Sequence, residues 1–290
     1  MNKYVIITDS ACDLTDEVAK KFDLQVCPLK FVIEGVEYPD YLDHRAMSPE
    51  DFYAKVRSGL MPSTAQVNTE EYIEIAEPFL KKGDDVLIIA FSSALSGTYN
   101  SARIAVEQLK EMYPTRKVML VDSKAASLGQ GLLVYHAATM RANNHSIEEV
   151  TEFLEAHKLH LAHWFTVSDI QHLKRGGRVS GAAALVAGML NINPVLHVSD
   201  EGKLISRMKP IGRKKALKAL FEKMKETYDP TISNVCFISH GDDLKDAIIL
   251  KEIIEKELDV DIRLINHIGP VIGAHSGPNT IALFFFAKHR

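Results

Sequence analysis

Three cysteines in 290 residues (Cys12, Cys27 and Cys236) are too few and too scattered for a disulfide framework, and no C-x-x-C pair occurs. Such usage suits a reducing compartment. Positive charge is scarce as well: 34 Lys and Arg against 38 Asp and Glu leave a formal charge of -4. Wrapping nucleic acid requires a cationic surplus to neutralise phosphates, so nucleic acid is not an expected partner. Long apolar runs are also missing. The longest, residues 182–190 and 281–287, fall well short of the ~20 residues of a spanning helix. Asp9 arrives too soon for a signal-peptide apolar region. A soluble, cytoplasmic protein is expected.

Several chemical signatures are absent too. There is no G-x-x-x-x-G-K-[ST] phosphate loop, no G-x-G-x-x-G after a strand and no G-x-S-x-G elbow. His157, His160 and His163 lie three apart but have no neighbouring Cys or carboxylate in ligand spacing, so no metal is expected.

What is present is ordinary globular composition, 46% apolar and 25% charged, over a length that suits two α/β lobes. In the first half, short apolar runs at residues 5–8, 86–91 and 118–121 alternate with amphipathic stretches. That alternation predicts βα units on a largely parallel sheet. Ser48-Pro49, Asn68-x-x-Glu71 and Ser146-x-x-Glu149 mark helix starts. The second half reads as strands at 164–167, 195–198 and 203–208, the middle turn being Asp200-Glu201-Gly202. A helix at 214–228, a strand at 235–239, a helix at 244–258 and strands at 262–265 and 280–286 follow. This order predicts an α+β lobe with a mixed or antiparallel sheet. The expected division is 1–160 and 161–290.

Polar residues gather where the first-half strands end. Thr8-Asp9-Ser10, the loop 92–98 and Asp122-Ser123 sit at carboxyl ends of strands, where parallel sheets hold ligands. Asp9, Ser10, Asp122 and Ser123 read equally well as helix caps. The 92–98 loop carries more hydroxyls than one cap uses, so Ser93, Ser96 and Gly97 are candidate ligand contacts. Pro62-Ser63-Thr64-Ala65-Gln66 reads as a turn. Lys174-Arg175-Gly176-Gly177-Arg178-Val179-Ser180 brings glycines and cations to one point, suited to a carboxylate or phosphate or simply to a solvated turn. His275, among the glycines and prolines of 269–278, is expected on a tight loop rather than a helix face. These residues leave open a free-standing hydrolase using a loop serine with His275 as base, and a small-anion sensor.

Taken in order, these segments resemble the bacterial DegV family. The resemblance rests on Thr8-Asp9-Ser10 with Asp13-Leu14, Ser63–Gln66, Leu95-Ser96-Gly97-Thr98-Tyr99, Asp122-Ser123 with Gly129-x-Gly131, and the 174–180 and 271–278 segments. It covers nearly the whole chain. It implies a two-lobed α/β fold with one long-chain fatty acid in a tunnel between the lobes, and no cofactor. It further implies that a separate ATP-dependent fatty acid kinase subunit phosphorylates the bound carboxylate for phospholipid synthesis. By motif, Thr64 and Ser96 would hydrogen-bond that carboxylate, with Arg178 and His275 beside it assisting phosphoryl transfer. The chain departs from the family pattern at Ala65 and Val67, at Asn193, at Asn279 and across residues 208–213, a run expected to help dock the kinase. Ile170, Leu173, Val186, Met189, Leu190 and Ile192 are candidate tunnel residues, and 182–192 a candidate lid with transient membrane contact.

Overall fold

A computed structural model describes residues 3–179 and 192–290. The chain begins with β1 (Tyr4–Asp9), a 3-10 turn (Ser10–Cys12), α1 (Asp16–Lys21), β2 (Gln25–Cys27), β3 (Lys30–Ile33) and β4 (Val36–Pro39). It continues through α2 (Pro49–Arg57), β5 (Ser63–Ala65), α3 (Thr69–Lys81), β6 (Asp85–Ala90), α4 (Thr98–Met112) and β7 (Val118–Asp122). Next come α5 (Leu128–Ala142), α6 (Ile147–His157), β8 (Leu161–Thr166), α7 (Ile170–Arg175), β9 (Val195–Val198) and β10 (Leu204–Met208). The chain closes with α8 (Arg213–Thr227), β11 (Val235–His240), α9 (Leu244–Glu255), β12 (Asp261–His267), α10 (Pro270–Ser276) and β13 (Ile281–Phe286).

Two main sheets result, with a small third one at their junction. The first has the order β2-β1-β6-β7 and is parallel throughout. The second, β10-β9-β8-β13-β11-β12, is antiparallel except for the β11/β12 pair. An α/β fold with a parallel N-terminal sheet and a mixed C-terminal sheet is therefore what the chain adopts.

Both central sheets are buried on two faces, which explains their nearly unbroken apolar strands. Side-chain alternation sends Tyr4 and Ile6 of β1 to one face, and Val5 and Ile7 to the other. In β13, Ala282, Phe284 and Phe286 face the N-terminal sheet's core, while Ile281, Leu283 and Phe285 face α8 and α9. Helix α5 lies between the sheets and touches strands of both. Ten of its residues, two of them glycines, are buried, so it has no broad solvated face to leave polar. Gly131 permits this: a Cβ there would lie 2.6 Å from the Cys12 carbonyl oxygen.

The helix starts form as the sequence predicts. Ser48 accepts from the Asp51 N–H, with Pro49 at the first helical position. Both capping boxes, Asn68/Glu71 and Ser146/Glu149, are complete. Two expectations are corrected. Residues 63–65 are not a turn but strand β5, which joins β3 and β4 in the third sheet. Residues 270–276 are not a loop but helix α10, with Pro270 at its start. Pro62 precedes β5, while Pro270 opens α10 and Gly277 closes it with Gly273 inside, and composition alone does not distinguish such segments from turns. Among the described residues no helix is long and apolar enough to cross a membrane.

Gly131→Ala should drive a methyl into backbone that cannot yield, destabilising the chain by about 1–3 kcal/mol as overpacking does. A urea midpoint equal to that of the unaltered protein would contradict this packing.

Candidate functional site

The third sheet and α10 together place the first polar group of the site. Thr64 lies on β5 opposite Phe31 of β3. Helix α10 packs on α2, β3 and β5. Its start is held by carboxylates from distant segments: Asp13 accepts from the Gly269 N–H at 3.0 Å, and Asp40 from the Val271 N–H. Tyr53 fits beneath it because residue 273 is glycine, where a Cβ would meet the phenolic oxygen at 2.6 Å; the Tyr53 hydroxyl donates to the Ile268 carbonyl. At the far end of α10, His275 reaches back to Thr64, Nε2 to Oγ1 at 2.8 Å.

The second ring nitrogen fixes the tautomer. His275 Nδ1 is 3.0 Å from the Gly176 carbonyl oxygen, which can only accept, so Nδ1 carries the proton. Nε2 of the neutral ring therefore accepts from the Thr64 hydroxyl. Burial, and then the Arg178 guanidinium, push the imidazole down to about 4, against the raising effect of the Gly176 carbonyl. Arg178 Nη1 also donates to the Gly176 carbonyl, at 3.0 Å. Close approach is possible because residue 176 lacks a side chain; a Cβ would lie 2.8 Å from the His275 carbonyl oxygen.

Ser96 enters from the other side. Its hydroxyl lies 2.9 Å from Thr98 Oγ1 and accepts from the Thr98 N–H at the start of α4. The Gln66 amide crosses over Gly97, where a Cβ would be 2.0 Å from Gln66 Oε1; its Nε2 donates to Ser101. Thr64, Ser96, Gly97, Arg178 and His275 thus line one cavity.

Beyond these polar groups the cavity is lined by residues from both halves of the chain and takes in about 900 Å³ of space not filled by protein, part of it open to solvent. Its walls include Leu29, Phe91, Leu95, Phe165, Leu204 and Ala282. Ser127 also contributes, in the strained φ of +54° that a non-glycine residue rarely adopts. It is held there by its hydrogen bond to Asp13 at 2.5 Å and its contact with Ser239.

The other candidates lie elsewhere. Ser93 is exposed and takes no part in the cavity wall; its N–H donates to Asp122 and its hydroxyl accepts from Lys124. Asp9 is buried and accepts from Ala11, Phe91 and Tyr72, while the Ser10 hydroxyl accepts from the Leu29 N–H. Ser123 closes its own turn with Ala125. These four residues therefore do the structural work of caps and turns. Of the tunnel candidates, Leu173 lines the cavity, and Ile170 and Ile192 do not. Ser180, Val186, Met189, Leu190 and the body of the candidate lid fall outside the described residues. His157 and His160 bond the backbone carbonyls of Phe153 and Ala287, and among the described residues no group suits a metal ion. Sequence reading missed most apolar wall residues, because they come one or two at a time from strand ends far apart in the chain.

Comparison with known proteins follows the same lines. Residues 3–288 match the family model described as "Uncharacterised protein, DegV family". A DegV domain-containing protein of Clostridium perfringens is 46% identical over 98% of both chains. Among solved structures, a DegV family protein from Thermus thermophilus, described by its fatty acid binding, superposes with a TM-score of 0.87 at 29% identity. The match covers 99% of this chain and all of that one. A stearic-acid-binding protein from Eubacterium ventriosum gives 0.87 at 28% identity over 98% of each chain. This chain belongs to the DegV family.

Proposed function

We propose that this protein binds one long-chain fatty acid, carboxylate against Thr64, Ser96, Arg178 and His275 and tail in the apolar arm. It then presents the carboxylate to a separate ATP-dependent kinase subunit that forms the acyl phosphate. The observation that carries the reading is the cavity's division into a polar mouth and an apolar interior. A buried carboxylate needs several donors to offset lost hydration, and hydroxyls plus a guanidinium supply them. The tail supplies affinity: at ~0.8 kcal/mol per methylene, sixteen carbons contribute roughly 10 kcal/mol before the costs of binding. The fatty acids bound by relatives of similar fold support the assignment. The kinase step rests on the family resemblance and on a cationic Arg178 beside the carboxylate site.

The hydrolase reading is less well supported by the geometry. It needs a serine on His275, whereas the hydroxyl on Nε2 belongs to Thr64 and Ser96 pairs with Thr98.

The unliganded hydrogen bonds carry a consequence for binding. Thr64 spends its one proton on His275 and so cannot donate to a carboxylate until that bond reverses. Protonating Nε2 reverses it: the imidazolium donates to Thr64, whose hydroxyl then turns to the ligand. An adjacent carboxylate favours that protonated ring. Binding is therefore coupled to proton uptake.

Mass spectrometry of an organic extract of the purified protein should find near-stoichiometric fatty acid; an empty extract that also resists reloading would remove the proposal. Thr64→Val keeps the shape and loses the donor, and should weaken fatty acid binding roughly 10- to 100-fold, as loss of a hydrogen bond to a charged group does; equal affinity would take Thr64 out of the head-group site. Affinity should rise as pH falls from neutrality towards about 4, the value of the free ring, with calorimetric proton uptake, because binding raises the pKa of His275. His275→Gln should flatten that slope, and a slope that persists would assign the proton elsewhere.

A further inference from the structure

One side chain in the apolar arm does not belong with an all-hydrocarbon ligand. His163, in the middle of β8, lines the cavity and is 4% exposed. Its ring lies 4.6 Å from that of Phe284 and 5.7 Å from that of Phe165. Gly129 of α5 faces it so closely that a Cβ there would be 3.4 Å from Nδ1. Nδ1 has no hydrogen-bond partner, and among the described residues no group is bonded to Nε2. Burial, then Arg290 and His197, push the ring well below its ordinary value, so it is neutral, with one donor and one acceptor to satisfy. Ser276 Oγ is a second unpartnered oxygen in the same lining.

Buried polar groups are almost always paired, and each exception calls for a partner that the protein itself does not supply. A plain methylene chain laid along this wall would leave the imidazole unmet. A hydroxyl satisfies it in either tautomer, because a hydroxyl both donates and accepts, and a 180° turn of the ring presents either edge. The surrounding Phe165, Phe284, Leu173 and Ala282 are apolar, so a single polar atom on an otherwise hydrocarbon chain fits the local chemistry best.

We propose that the cavity selects an acyl chain carrying a second oxygen, a hydroxyl part-way along its length, with His163 as that hydroxyl's hydrogen-bond partner. The inference rests on the fatty-acid reading above and narrows it to a substrate class. Sites built to hydrogen-bond a hydroxyl discriminate strongly against the analogue without it, because the site's own polar groups are then left unpaired. A reaction class that supplies such a ligand is the addition of water across the double bond of an unsaturated acyl chain, which forms the C–OH and C–H bonds at the expense of the C=C π bond and one O–H bond.

The test is a binding panel on delipidated protein, using octadecanoic acid and positional isomers of hydroxyoctadecanoic acid. At least one mid-chain isomer should bind about tenfold or more tighter than the plain acid. His163→Phe should abolish that advantage, bringing the affinities for the favoured isomer and the plain acid to within about twofold of each other, and an unchanged thermal melt certifies that the variant is folded. Spectra of the unaltered protein labelled with ¹⁵N-histidine supply a second readout should phenylalanine disturb the packing against Gly129. There the His163 ring nitrogens should shift with the favoured isomer and not with the plain acid. Equal affinities across the panel, a preference that survives in His163→Phe, or identical shifts with both ligands would overturn the inference. If no fatty acid binds the unaltered protein, the broader carrier reading falls with it.

Discussion

Asp13 is the residue on which the site's geometry depends. One carboxylate oxygen takes the Ser127 hydroxyl and the other the Gly269 N–H, while its backbone carbonyl accepts from Asn266. Three segments, from α5, from β12 and from the start of α10, are thereby fixed to the end of β1. The arrangement is costly, because the carboxyl is buried and its pKa is driven well above the usual carboxylate range by that burial, with Asp40 adding to the rise. Two direct hydrogen bonds offset part of that cost. A half-turn's displacement of α10 would carry His275 away from Thr64, so an acid far from the cavity mouth controls the spacing of the groups there.

Most strands of the two main sheets and most of the longer helices were legible in the sequence, for identifiable reasons, whereas β2, the whole third sheet, α7 and α10 were not. The parallel sheet announced itself through short β-branched runs, and the helix starts through Ser48, Asn68 and Ser146, whose capping bonds are local and depend on a few neighbouring residues. Misreadings fell where tertiary contacts overrule local signals. Residues 63–65 look like a turn but extend because β3 offers an unpaired edge, and residues 270–276 form a helix because Asp13 and Asp40 satisfy its first N–H groups. The polar half of the site was readable as clustered hydroxyls, glycines and cations. The apolar half was not, since Leu29, Phe91, Leu204 and Ala282 share a wall only after the sheets have formed. Ser93 was misjudged for a related reason: a hydroxyl's direction depends on the neighbour that claims it, here Asp122 and Lys124.

Largely buried ionisable groups of both signs are spread through the fold, and their effects on stability oppose one another. Asp9 is raised to about 6 and Asp40 to about 7, each mainly by burial. Their folded forms hold protons more readily than the unfolded chain, so these terms weaken the fold as pH rises from about 4 through about 7. His136, His240 and His275 are lowered to about 4 and His197 to about 3, again mainly by burial. The unfolded chain then binds protons first, and these terms weaken the fold as pH falls below about 6.5. The two sets act over overlapping intervals with opposite slopes, so between about pH 4 and 6.5 their effects on stability partly cancel.

The mouth of the cavity combines a cationic Arg178 with a neutral His275 that accepts from Thr64, and on the proposed reading the ring would take up its proton only with the carboxylate. Arg178 is exposed and its charge stays hydrated, whereas His275 is half-buried, so a charged imidazole there costs desolvation that only a neighbouring anion would offset. On the same reading the mainly apolar walls would supply affinity through the tail, while the polar mouth would set which chemical group is accepted.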